Sequence, residues 1–322
     1  MSKEIIFTGP FKNILPQYIE YKRSLGYEYA YDYAKRLREM DNFLKKYNIK
    51  EIRLTKNMVI NFVKKRDNEA NSTICSRCAA IRGFAMFLKQ LNYKDIYVLP
   101  NQYIPKKSTN FIPYIFTNEQ IKTLTDFIDN YTFGSPYLNE HKIYSILFRV
   151  LYCCGLRISE ALSLKVSDVD ITNSIIHILK SKNNNSRIVY MSNSLSNSIK
   201  EYINDSVLSN NDFLFPTTNG KKYSYTTVGI HFRKFFKLCN IYTQFGKLPR
   251  IHDLRHTFSV HSLQKMINDG IDIYCTLPYL SSFLGHKNIY CTEKYVRLIE
   301  TSFPELLDKN SKEIFPEVMS DD

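Results

Sequence analysis

The chain has 322 residues, of which 44% are hydrophobic and 23% charged, and its formal net charge is +13. This composition is ordinary for a globular protein, and the length accommodates two domains. No apolar run reaches the roughly 18 residues that a membrane span needs, and the N-terminus lacks a signal-peptide pattern. We therefore expect a cytoplasmic protein without a membrane partner. Seven cysteines, an odd number, argue against a disulfide framework.

Most of the positive charge lies in the first third of the chain. Residues 1–110 contain 21 Lys and Arg against 10 Asp and Glu, which leaves a net charge of only +2 for the remainder. Such an excess fits a polyanionic partner such as a nucleic acid. A merely soluble basic surface explains the charge alone equally well.

The spacing of apolar residues predicts four helices in this first third, over residues 11–25, 31–47, 55–67 and 72–88. Cys75 and Cys78 lie three residues apart in the fourth helix. No second pair follows at zinc-site spacing, so buried packing positions are favoured over a metal site. Arg77, Arg82 and Lys89 interleave with the apolar positions of the same helix, and we expect them to present a charged face to a phosphate backbone.

A linker and a second domain follow. Three prolines and the absence of a clear period between residues 99 and 117 predict a linker, with the domain boundary near residue 108. Thr117 to Gln120 has the form of a capped helix start, and two β-rich runs at 174–180 and 186–191 predict a hairpin with a polar turn. The rest is predicted mainly helical to about residue 308. The expected fold is mainly α with a small β-sheet, in domains 1–108 and 109–322.

Four short segments of the second domain contain residues that could take part in catalysis. They are Gly155-Leu156-Arg157-Ile158-Ser159-Glu160, Lys182 in the polar turn, His252-Asp253-Leu254-Arg255-His256, and Leu284-Gly285-His286 with Tyr295 nine residues further on.

These residue types suit phosphoryl transfer. Guanidiniums grip phosphate oxygens through paired, charge-assisted hydrogen bonds and offset the charge of the transition state. His252 and Arg255 share a helix face at i, i+3, and Glu160 stands three residues after Arg157, where it can hold that arginine in position. A lysine on a hairpin turn can act as a general acid. A tyrosine with a pKa of about 10 needs a cationic neighbourhood to become a nucleophile.

Each motif alone is weak, since most such residues only pack, cap or face solvent, but their joint order is specific. The succession Arg, Lys, His-x-x-Arg, His and Tyr resembles the tyrosine recombinase (phage integrase) family, which includes the Xer-type resolvases and transposon integrases. The resemblance is strong over residues 110–300. It covers the N-terminal domain only by position, length, helicity and charge. It implies a helical core-binding domain that precedes the catalytic domain, and the two form a clamp around DNA.

The resemblance also implies roles for the residues. Tyr295 would attack the scissile phosphate, form a 3′-phosphotyrosine and release a 5′-hydroxyl. Lys182 would protonate the leaving 5′-oxygen, and His252 would help take the tyrosine proton. The groups that would hold and neutralise the phosphate are Arg157, Arg255 and His286. None of these roles implies a cofactor or a metal. Rejoining needs no ATP, because the phosphotyrosine retains the bond energy.

The family pattern further implies the partners. These are double-stranded DNA, three further copies of the chain in a homotetramer that resolves a Holliday junction, and accessory directionality proteins as additional candidates. DNA-bound protein would be associated with the nucleoid. The tail after Asp308 contains Ile314-Phe315-Pro316, and our hypothesis is that it docks on a neighbouring protomer.

Two alternatives remain open at the level of sequence. One is a type IB topoisomerase, which shares the chemistry but relaxes supercoils without a specific site. The other is a DNA-binding regulator that keeps the fold without catalysis. The separate basic N-terminal domain and the Leu284-Gly285-His286 spacing favour the recombinase. The target site, and a phage, transposon, plasmid or chromosome-dimer role, are not encoded in these motifs.

Overall fold

The computed structural model describes residues 5–27, 31–105, 112–132, 140–179, 186–286 and 288–302. The chain divides into two compact units, residues 1–111 and 112–322. Three expectations fall outside the described residues: the centre of the linker, the polar turn with Lys180 and Lys182, and the tail after Asp308. Within the described ranges, none of the helices combines the length and apolar character required to cross a bilayer.

The described residues of the first unit contain four α-helices, as the apolar spacing predicts. They are α1 (Leu15–Ser24), α2 (Tyr31–Leu44), α3 (Lys56–Val63) and α4 (Asn71–Gln90). Helix α1 begins four residues later than expected, with a proline in its first turn, a position where the missing N–H costs nothing. Thr55 caps α3 by accepting a hydrogen bond from the backbone N–H of Met58. Cys75 and Cys78 are buried in α4 without a disulfide, as expected.

The expectation that Arg77 belongs to a charged, exposed face of α4 is wrong. Its side chain is only 1% exposed and pairs with Glu69 at 2.5 Å. It also donates hydrogen bonds to the carbonyls of Phe62 (2.9 Å) and Lys64 (3.0 Å), where α3 ends. Arg77 therefore satisfies a helix terminus inside the unit. Arg82 donates to the carbonyl of Leu99, while Lys89 is exposed.

The second unit contains the remaining helices and the sheet. Its helices are α5 (Asn118–Asn130), α6 (Glu140–Cys153), α7 (Ile158–Ala161), α8 (Asn193–Asp205), α9 (Tyr225–Leu238), α10 (Ile251–Asn268), α11 (Ile273–Leu284) and α12 (Tyr290–Ser302). The strands are β1 (Val169–Asp170), β2 (Ile175–Ile178) and β3 (Arg187–Tyr190). All pairs are antiparallel in the order β1-β2-β3, with Ile176 opposite Val189. The predicted fold class, mainly α with a small sheet, is confirmed.

Helix α10 positions the site because it packs against α6, α11 and α12. Its apolar side chains Val260 and Leu263 join Leu277, Leu280 and Leu284 of α11 in one buried cluster, which also includes Tyr295 of α12. The start of α5 is fixed to α10, since Thr257 accepts a hydrogen bond from the backbone N–H of Phe116 at 3.0 Å. The predicted capping box of α5, between Thr117 and Gln120, is present.

Candidate active site

A buried carboxylate, Glu160, is the centre around which the arginines gather. It accepts a hydrogen bond from Nη1 of Arg157 at 2.7 Å and from the backbone N–H of the same residue at 3.0 Å. The expectation that Glu160 holds Arg157 is thereby confirmed. Arg187, the first residue of β3, forms a two-pronged pair with the same carboxylate at 2.8 and 3.1 Å. Nη1 of Arg255 lies 4.0 Å away.

The arginines keep Glu160 ionised. Burial opposes its ionisation, but hydrogen bonding and charge attraction from Arg187, followed by the bonds from Arg157, lower its pKa to about 2. Three guanidiniums around one carboxylate leave two net positive charges in the interior of the unit. This arrangement is suited to an anion that binds beside it.

Backbone carbonyls anchor the same guanidiniums from a second side. Arg255 donates to the carbonyls of Gly155 (2.8 Å) and Leu284 (2.6 Å), and Arg157 donates to that of Gly285 (3.1 Å). Gly155 belongs to one of the sequence motifs, and Leu284 and Gly285 belong to another. Their backbones therefore serve the site as hydrogen-bond acceptors, which fix the two arginines before any ligand is present.

Steric constraints explain why glycine occupies two positions in these motifs. Gly155 and Gly285 have φ values of +57° and +66°, a region that glycine adopts readily. A Cβ at Gly155 would lie 2.4 Å from the Phe258 ring, and a Cβ at Gly285 would lie 2.9 Å from Nη1 of Arg187. Arg187 also donates through Nε to the carbonyl of Phe283 at 2.8 Å, so the end of α11 and strand β3 are tied together.

Arg255 is among the most buried charges of the unit, with 2% of its side chain exposed. Burial and, after it, repulsion from Arg157 lower its pKa to about 10. The guanidinium therefore remains protonated at neutral pH. At this depth the interactions of the cation are less screened than in water.

The phenol of Tyr295 lies directly beside this charge cluster. Tyr295 is 4% exposed, and its hydroxyl lies 3.1 Å from Nδ1 of His256. The ring of His286 stacks on the Tyr295 ring, with centroids 6.3 Å apart and planes inclined by 18°. Burial raises the pKa of Tyr295, while Ser259 and the charge of Arg255 oppose that rise.

Three histidines lie in this cluster, and all are neutral at pH 7. Burial is the largest cause of the lowered pKa of each histidine, followed by nearby positive groups or a neighbouring histidine. The pKa falls to about 4 for His252, about 3 for His256 and about 4 for His286. The rings of His252 and His256 meet edge to face at 4.8 Å. Nδ1 of His286 lies 2.8 Å from the hydroxyl of the buried Thr292.

The structure thus brings five of the six predicted site residues into one cluster: Arg157, His252, Arg255, His286 and Tyr295. Lys182 lies outside the described residues. Arg187 and Thr292 were not predicted as site residues, and no short-range pattern marks them. His256 was visible in its motif, and its i, i+4 spacing from His252 places both on one helix face. Clusters of three or more metal-ligand side chains are not found in the described part of the chain.

Comparison with known families identifies the class. The phage integrase family matches residues 115–301, and the phage integrase N-terminal SAM-like domain matches residues 17–92. The chain belongs to the phage integrase family, which confirms the expected tyrosine-type DNA strand-exchange enzyme. A tyrosine recombinase of Pseudothermotoga lettingae is 27% identical over 246 residues, covering 76% of this chain and 77% of its own. XerD of Rickettsia bellii is 27% identical, covering 86% and 90%.

Solved structures share the fold. The XerH site-specific recombinase bound to its difH substrate in a pre-cleavage complex superposes with a TM-score of 0.63 and 20% identity, covering 84% of this chain and 78% of its own. The Tn1549 transposon integrase in complex with transposon right end DNA gives a TM-score of 0.62 and 18% identity, covering 87% and 93%.

Proposed function

We propose that this chain is a site-specific recombinase that cuts and rejoins duplex DNA through a transient 3′-phosphotyrosine at Tyr295. The observation that carries the proposal is the convergence of a buried phenol with Arg157 and Arg255, two guanidiniums that are already fixed by Glu160 and backbone carbonyls. Fixed donors aimed at developing charge are the main source of catalysis in phosphoryl transfer.

The charge of the pocket supports this chemistry. A scissile phosphodiester brings one negative charge, and a second develops as the attacking oxygen bonds to phosphorus. Arg157, Arg255 and Arg187 together with Glu160 leave a net charge of +2 to balance it. Arg157 and Arg255 would bind the nonbridging oxygens, since a guanidinium has five N–H donors and its anchors use only part of them. His286, stacked on Tyr295, would contribute a neutral hydrogen bond.

Lys182 would act as the general acid that protonates the leaving 5′-oxygen. A direct test replaces that oxygen by sulfur, which departs without a proton. Lys182→Ala should cleave ordinary DNA slowly and the sulfur-containing DNA at nearly the wild-type rate. Lys180→Ala is the matched control, because it removes the same side chain two positions away. If the sulfur-containing DNA restores cleavage by Lys180→Ala and not by Lys182→Ala, the general acid is Lys180.

We further propose that four copies act on two duplexes at synapsis and exchange one strand pair at a time through a Holliday junction. The basic first unit would add contacts to the phosphate backbone, which are independent of sequence and weakened by salt. DNA-bound protein would then be associated with the nucleoid, together with directionality proteins where the reaction has a preferred direction. Sedimentation of protein on synapsed DNA should give the mass of four chains.

The reaction class is tested by trapping the covalent complex. Nicked duplexes made from the DNA that flanks the gene lose a short fragment after attack, so rejoining is blocked and an adduct accumulates on a denaturing gel. Wild type should form the adduct, and Tyr295→Phe should not. Tyr290→Phe is the matched control, because Tyr290 lies on the same helix and is 71% exposed. An adduct that persists in Tyr295→Phe would contradict the assignment, and specific binding without any adduct would favour a regulator.

A further inference from the structure

One histidine beside the nucleophile has no role in the scheme above. His256 follows Arg255 on α10, and its Nδ1 lies 3.1 Å from the Tyr295 hydroxyl. The two ring centroids are 5.6 Å apart. His252, to which the family pattern assigns help with the tyrosine proton, stands one turn earlier and packs its ring against that of His256. The hydrogen bond to the phenol is thus made by His256, and the ring contact of His252 is with His256.

We propose that His256 is the catalytic base that receives the phenolic proton of Tyr295 during DNA cleavage and returns it during rejoining. The inference rests on the proposed function and deepens it, because it names the group that touches the reacting hydroxyl. His252 then acts through His256, by packing and orientation.

The surroundings set the direction of the hydrogen bond. Arg255 interacts with the Tyr295 oxygen and favours its ionised form. A guanidinium carries donors only, so Arg255 does not compete for the phenol's hydrogen, which Nδ1 of His256 and the hydroxyl of Ser259 can both accept. His256 is neutral because burial, then His252, Arg250, Arg255 and His286, hold its pKa at about 3. A neutral ring with its proton on Nε2 offers a lone pair at Nδ1.

His286, the other histidine in contact with Tyr295, has a different hydrogen-bond partner. Nδ1 of His286 lies against the hydroxyl of Thr292 at 2.8 Å, and its ring faces the Tyr295 ring instead of the hydroxyl. Of the three histidines of the site, His256 is the one whose nitrogen lies within hydrogen-bond distance of the phenolic oxygen. Geometry precedes pKa in the choice of a general base.

The step balances without a further reactant. In cleavage the Tyr295 oxygen bonds to phosphorus, its proton passes to Nδ1 of His256, and the bond from phosphorus to the 5′-oxygen breaks as that oxygen takes a proton from the acid, for which we propose Lys182. In rejoining the 5′-hydroxyl attacks, its proton returns to the acid, and His256 protonates the departing phenolate. Before DNA binds the transfer is unfavourable, because burial raises the pKa of Tyr295 and that of His256 is about 3. A bound phosphate would offset the positive groups that, after burial, lower the pKa of His256.

The first test needs no DNA. The chain contains seven histidines, so long-range ¹H–¹⁵N spectra of histidine-labelled protein resolve the tautomer of each ring, and the loss of one signal set in His256→Asn assigns it. We expect His256 to be neutral at pH 7 with its proton on Nε2, and Tyr295→Phe to shift its Nδ1 resonance. A proton on Nδ1 would overturn the proposal, because that nitrogen could then accept nothing.

The second test measures adduct formation in a single turnover on the nicked flanking-DNA duplexes. Asparagine places an amide near Nδ1 and keeps a hydrogen bond, but it is not a base. We expect His256→Asn to slow cleavage by about 10²- to 10⁴-fold, the usual contribution of a general base. The matched control is His261→Asn, which makes the same substitution on the same helix at a ring whose Nδ1 lies 2.9 Å from the Tyr152 hydroxyl. It should stay within about threefold of wild type, since His261 has no place in the chemistry.

A third measurement separates proton transfer from folding or positioning. In a Tyr295→Phe background, a strand that ends in a 3′-p-nitrophenyl phosphate replaces the phosphotyrosine. The 5′-hydroxyl attacks it and nitrophenolate leaves without a proton, because its conjugate acid is far stronger than tyrosine. Adding His256→Asn should change this rejoining rate by no more than about threefold.

The outcomes are distinct. If adding His256→Asn abolishes rejoining of the nitrophenyl strand, the proposal is overturned in favour of a structural role for His256. Cleavage by His256→Asn at the wild-type rate would also overturn it. Absence of an adduct with wild type would instead overturn the proposed function, and the inference with it.

Discussion

Substitution of Glu160 by glutamine tests the idea that one buried carboxylate organises the catalytic arginines. Glutamine keeps the size of the side chain and one hydrogen-bond acceptor but removes the charge. Arg157 at 2.7 Å and Arg187 at 2.8 Å then lose their common counter-ion, and Arg255 loses a neighbour at 4.0 Å. Buried cations without a partner are costly.

The size of the effect follows from the pKa. The pKa of Glu160 drops from an ordinary value of 4.5 to about 2, and each pKa unit corresponds to about 1.4 kcal/mol. Ionised Glu160 therefore contributes about 3 kcal/mol to the free energy of unfolding at pH 7. Because the folded-state pKa is lowered, this contribution is complete above pH 4.5 or so and is lost as the pH falls towards about 2. At pH 3 about 1 kcal/mol should remain.

Urea unfolding followed by circular dichroism at pH 7 and pH 3 measures this difference between wild type and Glu160→Gln. The matched control is Asp205→Asn, which breaks the exposed ion pair between Asp205 and Lys142 at 2.7 Å. That change should cost no more than about 1 kcal/mol. Equal losses in the two variants, or a loss in Glu160→Gln that does not shrink at low pH, would refute the role of Glu160 as the buried counter-ion.

Three further substitutions have defined expectations. Gly285→Ala should destabilise the second unit and slow cleavage more than Gly220→Ala does, as thermal unfolding and adduct assays would measure. Both glycines have φ near +66°, but only the first would press a Cβ against Arg187. Arg77→Met should lower the stability of the first unit by about 3 kcal/mol, measured by chemical unfolding, because it removes the ion-pair partner of Glu69, whose side chain is 9% exposed, and the donor to two carbonyls at the end of α3. Arg157→Ala should abolish cleavage yet keep most of the DNA affinity in gel-shift titrations, since many phosphate contacts share the binding.

Local signals account for most of what the sequence predicts correctly. The capping residues Thr55 and Thr117 and the two hairpin strands are recoverable because they depend on spacings of a few residues. The contact of Arg157 with Glu160 is recoverable for the same reason, since it joins residues three apart at a helix start. Strand β1 has two residues, which is too short to produce a period.

Long-range pairing accounts for what the sequence does not reveal. Arg187 meets Glu160 across 27 residues, so no local motif links them. Arg77 occupies a position that helical spacing alone cannot distinguish from a surface position. Its burial depends on Glu69 and on the carbonyls at the end of α3. His256 is adjacent to Arg255 in the chain, but only the packing of α12 on α10 brings it to the Tyr295 hydroxyl.

The most direct test of the central claim identifies the protein–DNA bond itself. Wild-type adduct would be isolated, digested with protease and nuclease, and the nucleotide-linked peptide sequenced by mass spectrometry, with the DNA labelled on either side of the cut. The account predicts one linked residue, Tyr295, joined to a 3′-phosphate, with a free 5′-hydroxyl on the other strand end. A link through any other residue, or to a 5′-phosphate, would contradict it.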